Sequence, residues 1–432
     1  MKWWFPLPPP AVRAVDTGRR LRLLAVVTLV MAMASPVAAE SGSSTAESAP
    51  GVREKSARSE AETAVSQWDR FRSNLEERGI SFDLGYTGEV FRGFDLADGK
   101  GTEYRGMVNL YFALNTEKMG LWPGGELFVD AQNGHGRGLS LSPGGVDLPI
   151  SNIDAEDYTE IYEYGIIQTF LDEMVQFRLG KQDLNNIFSV NDFGGNFIFP
   201  SFTLIPTVPM PTFPAPALGG AAFIEPVQWL SLGMGFYDGG PEINSLGFDT
   251  AFDGKGGYFS IFEPAWTPGF GENGRYQGNY RLGFWYHSGN FAATQPDHRQ
   301  FSDNYGLYLL FDQLVYRPNN GGNDDRGIGV FLQFGWAPKD RNPVSRYLGG
   351  GFSWKGFLSW RPHDSIAVGL GHSRLVGSQP PGKKTDLTHL EVFYMAQLTP
   401  WLSLQPDIQY FDNPAVGKSN GWALGLRWLF DF

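Results

Sequence analysis

The 432-residue chain contains no cysteine, which excludes disulfides, thiolate metal sites and a cysteine nucleophile. It has no basic surplus either. The formal net charge of −12 argues against a nucleic-acid partner, which would need a cationic patch. Catalytic signatures are also missing. Six histidines (135, 287, 298, 363, 372 and 389) form no H-E-x-x-H, and no G-x-S-x-G occurs. A Ser–His pair assembled in space through His287, His372 or His389 is the one hydrolytic reading left. Carboxylates set among glycines at 247–257 and 321–327 lack calcium-loop spacing and suit turns. No metal or cofactor is implied, and the chain does not read as an enzyme.

Long apolar runs are scarce. The stretch Leu23–Ala34 is shorter than the roughly 20 residues a spanning helix needs. Arg19, Arg20 and Arg22 precede it, and Val37-Ala38-Ala39 follows as a small-residue cleavage site. Residues 1–39 therefore read as a secretory signal, and the Arg19-Arg20 pair hints at twin-arginine export. Residues 40–58 are rich in Ser, Ala and Glu and read as a linker. From 59 to 78, apolar residues recur every three or four positions, which predicts a short helix ending at Gly79. The division is thus signal 1–39, linker and helix 40–79, and a main domain 80–432.

What the chain does have is aromatic residues (15%), 55 Gly and 29 Pro, a profile of short strands and turns. From Ile80 onward the period is two. Ile80, Phe82, Leu84 and Tyr86 alternate with Ser81, Asp83, Gly85 and Thr87. At the end of the chain, Trp422, Leu424, Leu426, Trp428, Phe430 and Phe432 alternate with small or charged residues. Leu429 is the exception. Successive strand side chains point to opposite faces, so each run has one apolar wall and one polar wall. Runs of this kind are predicted at 80–90, 104–114, 125–133, 159–170, 174–183, 217–225, 228–238, 256–264, 276–287, 304–316, 327–336, 347–358, 365–374, 388–398, 402–411 and 421–432. Fourteen or eighteen strands stay open as counts.

A soluble sandwich shares this binary pattern, and an exported β-sandwich binding module is the alternative fold. Three features favour a transmembrane barrel. The apolar wall is crowded with Phe, Trp, Tyr and Leu, while the polar wall is rich in Gly, Asn, Gln and charge. Aromatics such as Trp401, Tyr410 and Trp422 sit near run ends, as in interfacial girdles. Short connections alternate with long ones at 134–158, 184–216 and 239–255. A sheet in lipid must close on itself, and about sixteen strands enclose an aqueous lumen. The fold class is therefore all-β: an antiparallel membrane barrel of about 16 strands behind a short helix.

The segments 387–417 (LTHLEVFYMAQLTPWLSLQPDIQYFDNPAVG), GLRWLFDF at the end, FRLGKQDLNNIF (177–188), ALGG (217–220) and GFLSWRPHDSIAVGLGHSRL (356–375) resemble the carbohydrate-selective porin family of Gram-negative outer membranes, the OprB type. The resemblance implies a sixteen-stranded barrel that lets sugars diffuse passively into the periplasm. Neutral sugars would be the permeants, and outer-membrane lipid would be the surroundings. The terminal Phe432 would be read by the barrel assembly machinery. A homo-oligomer stays open, as does a general or ion-selective porin.

Sugars present hydroxyls and apolar ring faces, so a selective lumen needs bidentate polar groups and aromatic platforms. By parity the inward candidates are Asp83, Glu89, Arg105, Asn109, Arg178, Arg281, Glu391, Gln405, Asp407, Gln409 and Arg427. Lys181, Asp183 and Asn185 resemble family positions near a constriction, although Lys181 shares parity with outward Phe177. The segment 184–216 carries Pro200, Pro206, Pro209, Pro211, Pro214 and Pro216, which rules out a strand pair. Too apolar for a solvated loop, it is expected to fold into the lumen and narrow it, with a rigid external cap as the alternative.

Overall fold

The computed structural model describes residues 70–432, except 98, 144–145, 295–298, 319–323 and 377–385. The expected signal and linker, and the first half of the expected helix, lie outside these residues. The described part of the helix spans residues 70–77. Arg72 ties it to the barrel rim through Asp83, at 2.9 Å.

Among the described residues, sixteen long strands form the barrel wall. The first four are β1 (Ile80–Leu96), β2 (Gly99–Asn115), β3 (Gly125–Gly136) and β4 (Tyr158–Phe170). Then come β5 (Val175–Gln182), β6 (Ala217–Val227), β7 (Leu230–Asp238) and β8 (Tyr258–Trp266). The third quarter is β9 (Tyr276–His287), β10 (Asn304–Tyr316), β11 (Gly327–Trp336) and β12 (Val344–Lys355). The chain ends with β13 (Ser365–Leu375), β14 (Leu387–Thr399), β15 (Leu402–Ala415) and β16 (Lys418–Asp431). Each strand pairs antiparallel with the next. β16 returns to pair with β1 from Gly85↔Asp431 to Phe94↔Trp422, which closes the barrel.

The alternation now has a spatial meaning. Outward side chains at mid-wall are large, apolar and exposed: Leu110 46%, Leu309 46%, Leu332 51%, Leu370 57%, Ile408 46% and Leu424 45%. A continuous belt of this kind would be untenable in water and suits hydrocarbon. This overturns the sandwich alternative, in which the apolar wall would be buried. Aromatic contacts tie neighbouring strands on this face, including the stacked Tyr280–Phe311 pair at 4.2 Å and the tilted Tyr410–Trp422 pair at 4.7 Å.

Two expectations need correction. First, β1 and β2 extend well past the predicted runs, with Leu96 paired to Gly99, and β15 and β16 turn tightly at 416–417. The rim with the long connections therefore also carries two short ones. Residues such as Arg92, Asp95 and Lys418 break the alternation there without ending the ladder. Second, the inner wall is not uniformly small or polar. Inward Phe91, Phe331, Phe393 and Phe411 are buried in one apolar cluster, and Trp285, Tyr308 and Tyr347 in another. Both clusters are completed by residues from connections folded inside. Leu429 points inward, opposite Thr87 and Ser403, and packs against the first cluster.

The closing seam depends on one small residue. Gly88 lies opposite Trp428, whose indole occupies the space a Cβ would take. Gly88→Val should push that ring out of the seam and cost about 1–3 kcal/mol, the usual penalty for overpacking. The measurement is the urea midpoint of folding into micelles, followed by heat-modifiable migration. An unchanged midpoint would show that Trp428 moves freely.

Candidate functional site

The 183–216 connection enters the barrel from the end of β5. Asp183 pins its base. The Asp183 carboxylate accepts from the Asn185 amide at 2.9 Å, from the Thr212 hydroxyl at 2.6 Å and from the Tyr162 hydroxyl. Burial pushes this carboxyl up, and those donors offset only part of the rise. The chain then crosses the interior and meets inward groups of successive strands. The Ser189 amide donates to Glu263 of β8 at 2.8 Å, and the Phe193 amide to Asp312 of β10 at 3.0 Å. Gln405 of β15 donates to the Asn196 carbonyl at 2.9 Å. At the tip, the Ile198 and Phe199 amides donate to the two oxygens of Glu391 on β14, at 2.6 and 2.9 Å. On the return, Gln333 of β11 donates to the Phe202 carbonyl at 3.0 Å. Phe188, Phe197, Phe199, Phe202 and Ile205 are buried along the way. The loop therefore lies inside the barrel, as expected, and not over it as a cap.

The described residues of a second connection, 137–143 and 146–157, also fold inward, against β1, β2 and β16. Arg105 donates to the Ile153 carbonyl at 2.8 Å, the Gly136 carbonyl at 3.0 Å and the Glu156 carbonyl at 3.3 Å. Arg427 donates twice to Glu89, at 2.6 and 2.8 Å, and also to Asn152 at 2.8 Å. The two loops are joined where the Asn152 amide donates to the Ile198 carbonyl at 2.9 Å.

The 239–257 connection leans outward. Phe252 stacks on outward Phe236 at 5.5 Å, and Phe248 lies by outward Tyr164 at 6.1 Å. Lys181 holds this connection. Its register places it opposite Tyr164 and Leu218, on the outward side. Its ammonium donates to Glu160 at 3.0 Å and to the Ser245 carbonyl at 2.7 Å. The parity conflict seen in the sequence thus has a physical origin. Lys181 is on the lipid-facing side, but the loop covers it.

Most of the expected lumen residues are therefore occupied. Arg105, Asn109, Lys181, Asp183, Glu391, Asp407, Gln409 and Arg427 are each buried, at 5% exposure or less. Gln405 and Glu89 are buried as well. A permeant passing through this conformation cannot touch them. Asn185 is half-buried and donates back to its own loop, towards the Phe188 carbonyl. Arg178 and Arg281 remain half-buried on the inner wall. Each is steadied by a neutral amide two residues back: Arg178 by Gln176 at 2.9 Å and Arg281 by Asn279 at 3.2 Å. Arg281 also lies 3.7 Å from Glu263.

Around these two run polar groups that the sequence did not single out. Asn186 donates to Glu163 at 3.0 Å, and Asn279 donates to Asp192 at 2.9 Å. Asn186 and Asp192 form the exposed edge of the in-folded loop. Tyr111 and Phe128 stack at 6.2 Å on the inner wall, and Tyr111 donates to Glu126 at 3.3 Å. Glu163 was hidden because the strand bulges at Tyr162, which shifts the parity of every later residue. Asp192 and Asn186 lie on a loop, where no parity applies.

One Ser–His pair does form. Ser201 Oγ is 2.8 Å from His389 Nε2, and Tyr347 donates to the same hydroxyl at 3.2 Å. Phe199 and Phe202 pack on the imidazole. Both groups are buried, and His389 Nδ1 has no acidic partner among the described residues. The pair anchors the loop and offers no path to a substrate.

Residues 99–432 match the model of the carbohydrate-selective porin, OprB family. The chain belongs to that family. It is an outer-membrane porin, and its barrel forms a transport channel. Porin B of Pseudomonas aeruginosa is 24% identical over 406 residues, which span 81% of this chain and 86% of that protein. A putative porin QuiX of Acinetobacter baylyi is 22% identical, across 85% of this chain and 92% of its own length. Among solved structures, the high-pH form of Pseudomonas putida OprB superposes with a TM-score of 0.72 at 21% identity, and the match covers 84% of this chain and 97% of that one. In this OprB-family barrel the rim bearing the long connections faces the cell exterior, since periplasmic turns are short.

Two outcomes follow from the loop anchors. Arg427→Met leaves Glu89 buried and unpaired and should cost about 3–5 kcal/mol in folding stability, whereas pairing it with Glu89→Leu should recover most of the loss. A double-mutant cycle on urea unfolding checks this; equal losses in the single and double variants would contradict it. Glu391→Ala removes both acceptors at the loop tip, so single-channel conductance should rise and become noisier. A conductance trace identical to wild type would mean that the loop stays put without this carboxylate.

Proposed function

We propose that the chain conducts small neutral sugars down their gradient through the polar channel left beside the in-folded loops, with Arg178 and Arg281 as the groups that meet the permeant. The supporting observation is the state of these two guanidiniums. Their Nε atoms are fixed by Gln176 and Asn279, and both side chains remain half-buried on the inner wall. A guanidinium fork suits two neighbouring hydroxyls, and its planar geometry is held in advance. The stacked Tyr111–Phe128 pair offers an apolar platform to a sugar ring. Nothing in this reading calls for a cofactor or an energy source. Outer-membrane lipid is the proposed neighbour of the apolar belt. Phe432, which continues the ladder by donating to Leu84 at 3.0 Å, is the proposed mark read by the assembly machinery.

A general or ion-selective porin is the competing reading, and liposome swelling separates the two. Vesicles carrying the protein should swell faster in glucose than in a disaccharide, and faster in glucose than in a charged amino acid of similar size. Arg178→Ala with Arg281→Ala should bring the glucose and amino-acid rates close together while total conductance is kept. Equal rates for all three solutes in the wild type would sink sugar selectivity. No swelling at all would sink the open channel.

A further inference from the structure

The outer wall is apolar at mid-height, yet near the exterior rim it presents two arginines side by side. Arg346 on β12 lies directly opposite Arg374 on β13, and Trp336 on β11 lies directly opposite Arg346. All three share the parity of the lipid-facing residues. Leu348 and Leu370, further down the same faces, are 52% and 57% exposed. Both arginines are exposed, and among the described residues neither guanidinium has a hydrogen-bond or ion-pair partner. Like charges directly opposite on one sheet face repel each other, and cations on a lipid-facing wall are disfavoured. Arg92, another outward arginine near this rim, has its charge shared, donating to Thr102 at 3.4 Å and lying over Phe94 at 5.5 Å.

The backbone is irregular immediately beyond this juxtaposition. The pairing of β12 with β13 slips between Val344 and Arg346, so Ser345 is an inserted residue. Val344 and Ser345 are both buried, and Ser345 donates to the Arg374 carbonyl at 3.2 Å. From Arg346 to Lys355 the register is regular, so Arg346 shares the outward parity of Leu348, and the bulge turns Val344 inward just beyond it. Bulges re-aim side chains, and this one ends the outward face of the two strands at the paired arginines.

We infer that Arg346 and Arg374 form a docking site on the outside of the barrel for the phosphorylated headgroup of an outer-leaflet glycolipid of the lipid A type, with Trp336 seated at the interface beside it. Charge complementarity supports this occupant. Two adjacent guanidinium forks match phosphate oxygens, each offering parallel N–H donors. The height on the wall also fits, because a headgroup at the exterior interface would meet these side chains while its acyl chains run down past Leu348 and Leu370. Tryptophan favours that same level.

The test uses the full mature chain in detergent micelles, with lipid binding read by native mass spectrometry. The probes are bis-phosphorylated lipid A and the same lipid with its phosphates removed. The wild type should retain the phosphorylated lipid. Arg346→Gln with Arg374→Gln should weaken retention by about tenfold or more, as expected for lost charge-assisted hydrogen bonds. Arg346→Lys with Arg374→Lys should keep most of the binding. Heat-modifiable migration and glucose swelling should be unchanged in both variants, since neither side chain faces the lumen. Equal binding of the two lipids, or equal retention by the Gln variant, would overturn the site. Displacement of the lipid by inorganic phosphate alone would also overturn it, by showing a free-anion site with no role for the lipid.

Discussion

A backbone amide in hydrocarbon has no water to turn to, and the rest of this structure depends on that fact. Sixteen strands satisfy it only because β16 finds β1 again. Closure leaves no edge, so the outer side chains are free of any hydrogen-bonding duty and can be uniformly apolar. It also fixes which side of each strand is inside. The seam is consequently the place where small residues are needed, as at Gly88 beneath Trp428.

The same constraint reappears inside the lumen. A loop that leaves water to lie against the inner wall must find partners for its own amides and carbonyls. The strands provide them as side chains: Glu263, Asp312 and Glu391 accept, while Gln333 and Gln405 donate. The loop reduces the demand as well. Each of its six prolines removes a donor that would otherwise need burying with a partner. Its phenylalanines then fill the space between inward aromatics of the wall. Polar side chains that parity places in the lumen are thus fixing groups for polypeptide. The permeant meets what they leave uncovered.

This explains what the sequence could and could not show. Sixteen runs were legible, because a period of two over about ten residues is a strong signal when one wall is fully apolar, but the weaker runs at 159–170, 217–225 and 256–264 left the count open. Strand ends beyond the membrane were not, since no hydrocarbon enforces alternation there, and Arg92 and Asp95 could follow Phe91 without ending the ladder. Parity also located Arg105, Glu391 and Arg427 on the correct face. It could not say that a loop lies over them, because coverage is a tertiary fact. A clue was present nevertheless. Phe393 and Phe411 share the inward parity of Glu391 and Gln409, and an aromatic facing a wide lumen signals that something packs on it. Lys181 carried the opposite clue, a charge at outward parity, which the 239–257 loop resolves by covering it.

The arrangement also bears on how such a barrel discriminates. Charged groups committed to anchoring are partnered in place: Arg427 by Glu89, Arg105 by carbonyls and Asp154, and Glu391 by two amides. Groups partnered in this way project only a weak field into the lumen and offer an ion little. What the lumen retains are fixed, directional donors and acceptors at short range. These favour a solute that carries hydroxyls in a set geometry and no net charge. Loop anchoring and solute preference are then two consequences of one choice, which is to use the ionic groups of the inner wall on the polypeptide itself.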